Sequence, residues 1–393
     1  MAFVKQHIKF LTVVTVGLIL IAGLAFSSFA FSSHQAAHAS GGSSGFYQQT
    51  NLVSDIAGVA LFTDPNLVNP WGLSHNPTGP WWISDNGTGL STLYNGHGRS
   101  FPVGNPLVVT IAPPAGGTSA APTGNIFNPV NGTNPDDFVV SENGKSGPSL
   151  FMFATEDGTI SGWNFNVDLT HSILGVDRST VSQGGFVGAV YKGLAFGQSG
   201  GGDFIYATNF RFGTVEQFNA NFHLVRSFTD SQLAHTCPLP NQCFAPFGIQ
   251  NIGGNLYVTF ALQDAQHHDD AHGPSRGFVD VFDTNGNLIN RLISRGALNS
   301  PWGLALAPAN FGQFSNDLLV GNFGNGRINA FDPNTGAFLG QLRNQKGLII
   351  SINGLWGLAF GNGATAGQTD ELFFTAGIND EANGLFGKIE SEN

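Results

Sequence analysis

A short phrase returns along this chain at a nearly constant interval. It reads as a small or aromatic residue, then glycine, then apolar residues. The copies are Pro70-Trp71-Gly72-Leu73, Lys192-Gly193-Leu194-Ala195-Phe196-Gly197, Pro246-Phe247-Gly248-Ile249, Pro301-Trp302-Gly303-Leu304-Ala305 and Leu355-Trp356-Gly357-Leu358-Ala359-Phe360-Gly361. The glycines at 193, 248, 303 and 357 are spaced by 55, 55 and 54 residues. The gap from Gly72 to Gly193 is 121 residues, about two periods, so a degenerate copy is expected inside it. Fixed-period self-similarity marks a repeat architecture, whose units bury their apolar faces only against one another.

Each copy continues with a strand-like run that ends in small or polar residues. Examples are Trp82-Ile83-Ser84-Asp85-Asn86-Gly87, Ile205-Tyr206-Ala207-Thr208-Asn209, Leu256-Tyr257-Val258-Thr259-Phe260 and Leu319-Val320-Gly321-Asn322. The hidden copy shows here as Leu150 to Gly158, after an irregular Pro/Gly/Thr/Asn-rich excursion from Pro113 to Asn134. A third strand follows, as in Gly326 to Phe331 or Gly277 to Phe282. A turn such as Asp332-Pro333-Asn334-Thr335-Gly336 then leads into a fourth. Six copies of four strands at this period read as an all-β, six-bladed β-propeller with antiparallel blades. Composition agrees. Charged residues are only 10% against a usual ~25%, while Gly numbers 54 and Phe 35, which suits turns and ring contacts between blades rather than helical bundles. The last copy shows only three strands, ending at Leu385-Phe386-Gly387-Lys388-Ile389. The unassigned run Phe46 to Val53 is therefore expected to close the ring as the outer strand of the last blade.

Lys5, His7 and Lys9 precede an apolar run from Phe10 to Phe31, and Ala37-His38-Ala39 follows. That order predicts a secretory signal over residues 1–39, with an uncleaved membrane anchor as the alternative. Residues 40–393 then form the single propeller domain of a secreted or envelope protein. Without residues 1–39 the balance is 13 basic against 26 acidic residues, which argues against nucleic acid as a partner. In an exported chain Cys237 and Cys243 are expected to form a local disulfide.

The pattern Pro-x-Gly-Leu-Ala, a short strand, Asn-x-x-x-Gly-Arg-Ile-x-x-Phe-Asp and a glycine turn, clearest from Pro301 to Leu342, resembles the NHL repeat. The stretches Tyr47 to Asp64, Asn69 to Leu73, Gln263-Asp264-Ala265 and Gly277 to Asp283 are similar to an uncharacterised family of exported bacterial propellers. The resemblance implies a fold, and no activity. It also implies that the loops entering the innermost strands and those after the second strands open on one face.

On that face Trp71, Trp302 and Trp356 either wedge between blades or form an aromatic ligand platform. Asp85, Asn209 and Asn322 are turn formers or oxygen ligands for Ca²⁺. The fourth copy carries a long loop, Gln263 to Arg276, in which His267, His268, Asp269, Asp270 and His272 are candidate ligands for Zn²⁺ or a similar metal. Eight acids are expected there (Asp85, Glu156, Asp157, Asp264, Asp269, Asp270, Asp380 and Glu381) against Arg211, Arg276 and Arg327. No nucleophile elbow, phosphate loop or His-Glu-x-x-His motif is present, so no catalytic residue is assigned. The first reading is a monomeric, exported binding platform for a protein, glycan or small ligand. The second is a metal-dependent hydrolase resembling lactonases, with Ca²⁺ or Zn²⁺ at the channel mouth.

Overall fold

The computed structural model describes residues 45–392. The expected leader over residues 1–39 lies outside them. Among the described residues, six antiparallel sheets follow one another around a common axis, and helix is limited to Ser231–Ala234 and a 3-10 turn at Gly312–Phe314. No helix among them is long and apolar enough to cross a membrane. Blade 1 comprises Pro70–Ser74, Trp81–Asp85, Leu90–Tyr94 and Val108–Thr110. Blade 2 comprises Pro122–Phe127, Phe151–Thr155, Thr159–Trp163 and Ile173–Asp177. Blade 3 runs from Tyr191 to Phe228, blade 4 from Phe244 to Ser294 and blade 5 from Pro301 to Gln341.

Blade 6 is built as the sequence predicts. Leu355–Phe360, Leu372–Ile378 and Asn383–Ser391 are completed by Tyr47–Ser54, which pairs antiparallel with Asn383–Ser391 from Tyr47↔Ser391 to Ser54↔Leu385. Phe62–Thr63 adds a short parallel strand outside it. Tyr47 also stitches blade 6 to blade 5, because its hydroxyl donates to the Phe311 carbonyl (3.0 Å) and accepts from the Phe314 amide (3.1 Å).

The degenerate copy is a correction. The excursion from Pro113 to Asn134 is not irregular throughout, for Pro122–Phe127 is the innermost strand of blade 2 and Gly124 is its repeat glycine. An inserted hairpin, Val139–Glu142 with Lys145–Pro148, lengthens the interval to the next copy.

The six glycines are fixed by contact. A Cβ on Gly72 would stand 2.5 Å from the Thr123 carbonyl oxygen, one on Gly124 2.5 Å from the Leu194 nitrogen, and one on Gly303 2.5 Å from the Trp356 carbonyl oxygen. On Gly357 it would stand 2.7 Å from the Trp71 carbonyl oxygen, and on Gly248 it would collide with that of Trp302. Each innermost strand thus lies backbone to backbone against the next blade. In all six blades the ladder to the second strand slips at this glycine. The displaced amides of Gly193, Gly248 and Gly357 donate instead to the hydroxyls of Thr208, Thr259 and Thr375 (2.7, 2.7 and 2.9 Å). Thr208 and Thr375 pass the bond on to carbonyls of the following blade, Phe247 and Trp71. The channel enclosed by the ring has shrunk to a cavity of about 40 Å³ lined by Gly72, Gly124, Gly193, Gly303 and Gly357.

Gly248→Ala should lower stability by about 2–3 kcal/mol, since the methyl meets backbone that cannot rotate away. Gly132→Ala, with open space around it, should change the melting temperature little. Thermal melts of the two variants measure the difference.

Candidate functional site

The residues before the repeat glycines supply most of one buried cluster. In order these residues are Trp71, Thr123, Lys192, Phe247, Trp302 and Trp356. Trp71 and Trp356 stack with ring centroids 3.4 Å apart, Trp302 packs edge-on to both, and Phe247 and Phe323 complete the cluster. All three indoles are buried, so their faces cover one another and close the channel mouth rather than facing solvent. Trp356 Nε1 donates to Asn69 Oδ1 (3.2 Å), while Trp71 and Trp302 Nε1 have no partner among the described residues.

Lys192 is the exception in this series and was not among the residues singled out from sequence. It is 1% exposed. Its ammonium lies 4.9 Å from the Trp71 ring centroid and 5.9 Å from that of Phe210. It bonds Glu156 from blade 2 and, at 3.1 Å, Asp269 from the long loop of blade 4. Burial alone would discharge it, but the two carboxylates hold its pKa above the ordinary lysine value. Glu156 also accepts from Asn86 Nδ2 (2.9 Å). His268 Nδ1 lies 3.0 Å from Asp269 Oδ1. Burial would raise the Asp269 pKa, yet the bond to His268 and the Lys192 charge hold it well below the usual carboxylate range. The bond to Asp269 in turn raises the His268 pKa.

The candidate residues of the long loop do not meet at one point. His268 and Asp269 join Glu156 and Lys192. His267 turns the other way, its ring bonded to the Asn241 carbonyl (2.7 Å) and stacked on Phe186. Asp270 is buried beside Ser300, with burial raising its pKa, and exposed His272 stands 3.7 Å from it. Glu156, His268 and Asp269 do bring donor atoms within 4.8 Å of one another, a set sequence spacing could not reveal because Glu156 belongs to another blade. The fit to a metal ion fails on one observation: the Lys192 ammonium already bonds the carboxylates of Glu156 and Asp269.

Asn209 and Asn322 are occupied as turn formers. Asn209 Oδ1 accepts from the Val190 and Phe212 amides (3.3 and 3.2 Å), and Asn322 Oδ1 from the Asn299 amide (3.1 Å). Asp85 differs. It is fully buried, and burial drives its pKa well above the ordinary value against the opposing effect of neighbouring Thr92. The expected eight-acid face is therefore corrected. Asp85 adds no surface charge, and burial raises the pKa of Asp270, and of Glu381 to about 7, with the charge of Glu156 adding to the latter. Lys192 is buried as well and adds no surface charge, so the rim keeps more acids than the bases Arg211, Arg276 and Arg327. Cys237 and Cys243 are bonded as expected, next to the start of blade 4.

Lys192→Met should destabilise the protein by about 3 kcal/mol by leaving Glu156 and Asp269 unpaired. It should also create stoichiometric Zn²⁺ binding, with none expected in the natural protein treated alike, read by metal analysis after dialysis. Glu381 gives a pH signature. Its folded pKa is raised, so stability falls as pH climbs from the unfolded value near 4.5 to about 7 and is flat beyond. Relative to Glu381→Gln, the natural protein should lose up to about 3 kcal/mol across that window, measured by urea unfolding.

No family model matches the chain. The uncharacterised protein R648 of Acanthamoeba polyphaga mimivirus is 33% identical over 342 residues, spanning 86% of this chain and 78% of its own length. Protein L690 of the same virus is 31% identical over 343 residues, spanning 86% and 84%. Both are viral, so neither supports the bacterial source expected from the motifs. Virginiamycin B lyase from Staphylococcus aureus superimposes with a TM-score of 0.47 at 13% identity, covering 88% of this chain and 98% of its own. Similarity at that level assigns no activity. By its identity and coverage, this chain belongs to the same family as the mimivirus proteins R648 and L690.

Proposed function

We propose that the chain is an exported, NHL-like propeller that serves as a binding platform. Its partner is a protein that docks on the rim formed by the loops after the second strands. The observation that carries this reading is the closure of the axis beneath that rim. A channel reduced to about 40 Å³ and capped by stacked indoles offers no deep pocket in which a substrate is enclosed. Chemistry at a buried centre needs such enclosure, whereas protein recognition works on a broad rim. At the rim, Asn86, Glu156, His268, Asp269 and Glu381 come from four blades, with buried Lys192 of a fifth bonded to Glu156 and Asp269. Mixed charges of this kind select a partner by complementarity. Asn379, Asp380 and Glu381 hold positive φ in succession (57°, 53° and 65°), a strained turn of the sort that accumulates at binding sites. Export rests on the residue order of the first 39 positions.

Two measurements test the proposal. The secreted chain should begin at Ser40 when its amino terminus is sequenced; retention of residue 1 would refute cleavage. A photo-crosslinking side chain at exposed Asp380 should form a discrete adduct with a protein in the producing culture. The same group at Asn334, in a turn on the opposite face, should form none. Adducts from Asn334 alone, or from neither position, would contradict docking on this rim.

A further inference from the structure

A cavity of about 340 Å³ opens beside the disulfide. Its size falls in the range of small-molecule sites, roughly 300–1,000 Å³. Phe212 comes from the loop after the second strand of blade 3, and Phe244 from the first strand of blade 4. Phe186 comes from the short hairpin Ser182–Gln183 with Phe186–Val187. The disulfide at Cys243 and Ala234 of the short helix complete the apolar wall.

Two features of the wall are not those of ordinary packing. His267 lies against the Phe186 ring, centroids 4.2 Å apart and 22° from parallel, and its backbone is held at φ 54°. Its two ring nitrogens meet the Asn241 carbonyl (2.7 Å) and the Arg211 carbonyl (3.3 Å), so the ring is fixed in place as part of the wall. Arg211 is the charged group of the cavity. Its Nη1 donates to the Val187 and Gly188 carbonyls (2.8 and 3.3 Å), while its Nε is buried without an acceptor. Burial lowers the Arg211 pKa, so the guanidinium is under-solvated where it stands.

We propose that this cavity is a binding site for a small planar aromatic acid, its ring held among Phe186, Phe212, Phe244 and His267 and its acid group on Arg211. The flat rings fit a flat ligand by stacking, and the guanidinium supplies charge-assisted hydrogen bonds to a carboxylate. The cavity shares the loops of blades 3 and 4 with the rim around Lys192, and the charges of Asp264, Asp269 and Glu156 reach Arg211 from that side.

Isothermal titration calorimetry with 2-naphthoate tests it, with 2-naphthol and octanoate as comparison probes. The protein should bind one 2-naphthoate and take octanoate at least tenfold more weakly. Ala234→Phe, which fills the cavity from an incompletely buried position, should abolish binding while leaving the melting temperature near that of the natural protein. Arg211→Met should weaken 2-naphthoate about tenfold and leave 2-naphthol unchanged. Absence of saturable binding, or binding untouched by Ala234→Phe, would overturn the site. Equal loss of both naphthalene ligands in Arg211→Met would overturn the role given to the guanidinium.

Discussion

The structure depends on backbone meeting backbone at six points around one axis. Glycine is required there because any side chain would occupy the space of the neighbouring strand. The contact also disrupts the ladder within each blade, and the freed amides need acceptors, since a buried unpaired N–H is expensive. Threonine hydroxyls meet that need in three blades and in two of them reach on to the next blade. Intrablade and interblade bonding are thereby one network. Ring closure by Tyr47–Ser54 gives the first and last blades the same two-sided burial as the others.

The same contacts decide what the loop-rich face can be. Drawing the strands together shuts the channel, and the residues preceding the glycines converge above it. Aromatic rings fill most of that space. Lys192 places a full charge among them, which is tolerable only because Glu156 and Asp269 bond it and the faces of Trp71 and Phe210 lie against it. A fixed internal cation thus stands where three metal-type donors converge, and it ties loops of blades 2, 3 and 4 together.

The glycine spacing was legible because one steric rule acts on each copy separately. Gly124 escaped notice since Thr123 and Asn125 flank it, and the hairpin at Val139–Pro148 stretches the interval behind it. The clasp could be inferred because one outer strand was missing at one end and one was spare at the other. Site chemistry was less legible. Asp85 sits in Ser84-Asp85-Asn86-Gly87, which reads as a solvated turn. It is nevertheless fully buried, near enough to Asp64 and Tyr94 for their groups to act on one another electrostatically. His267 and His268 are adjacent in sequence but diverge, because the loop backbone turns through positive φ at His267. Lys192 occupies a packing position of the repeat, and only the fold brings it to acids 36 and 77 residues away.

Native-state hydrogen exchange at Gly193, Gly248 and Gly357 examines the shared ring most directly, since these amides belong to three different blades. A single cooperative ring requires all three to exchange with the same free energy, equal to that of global unfolding. Exchange at one of them several kcal/mol more readily than at the others would show blades that open independently, and the ring of glycine contacts would not be what holds this fold together.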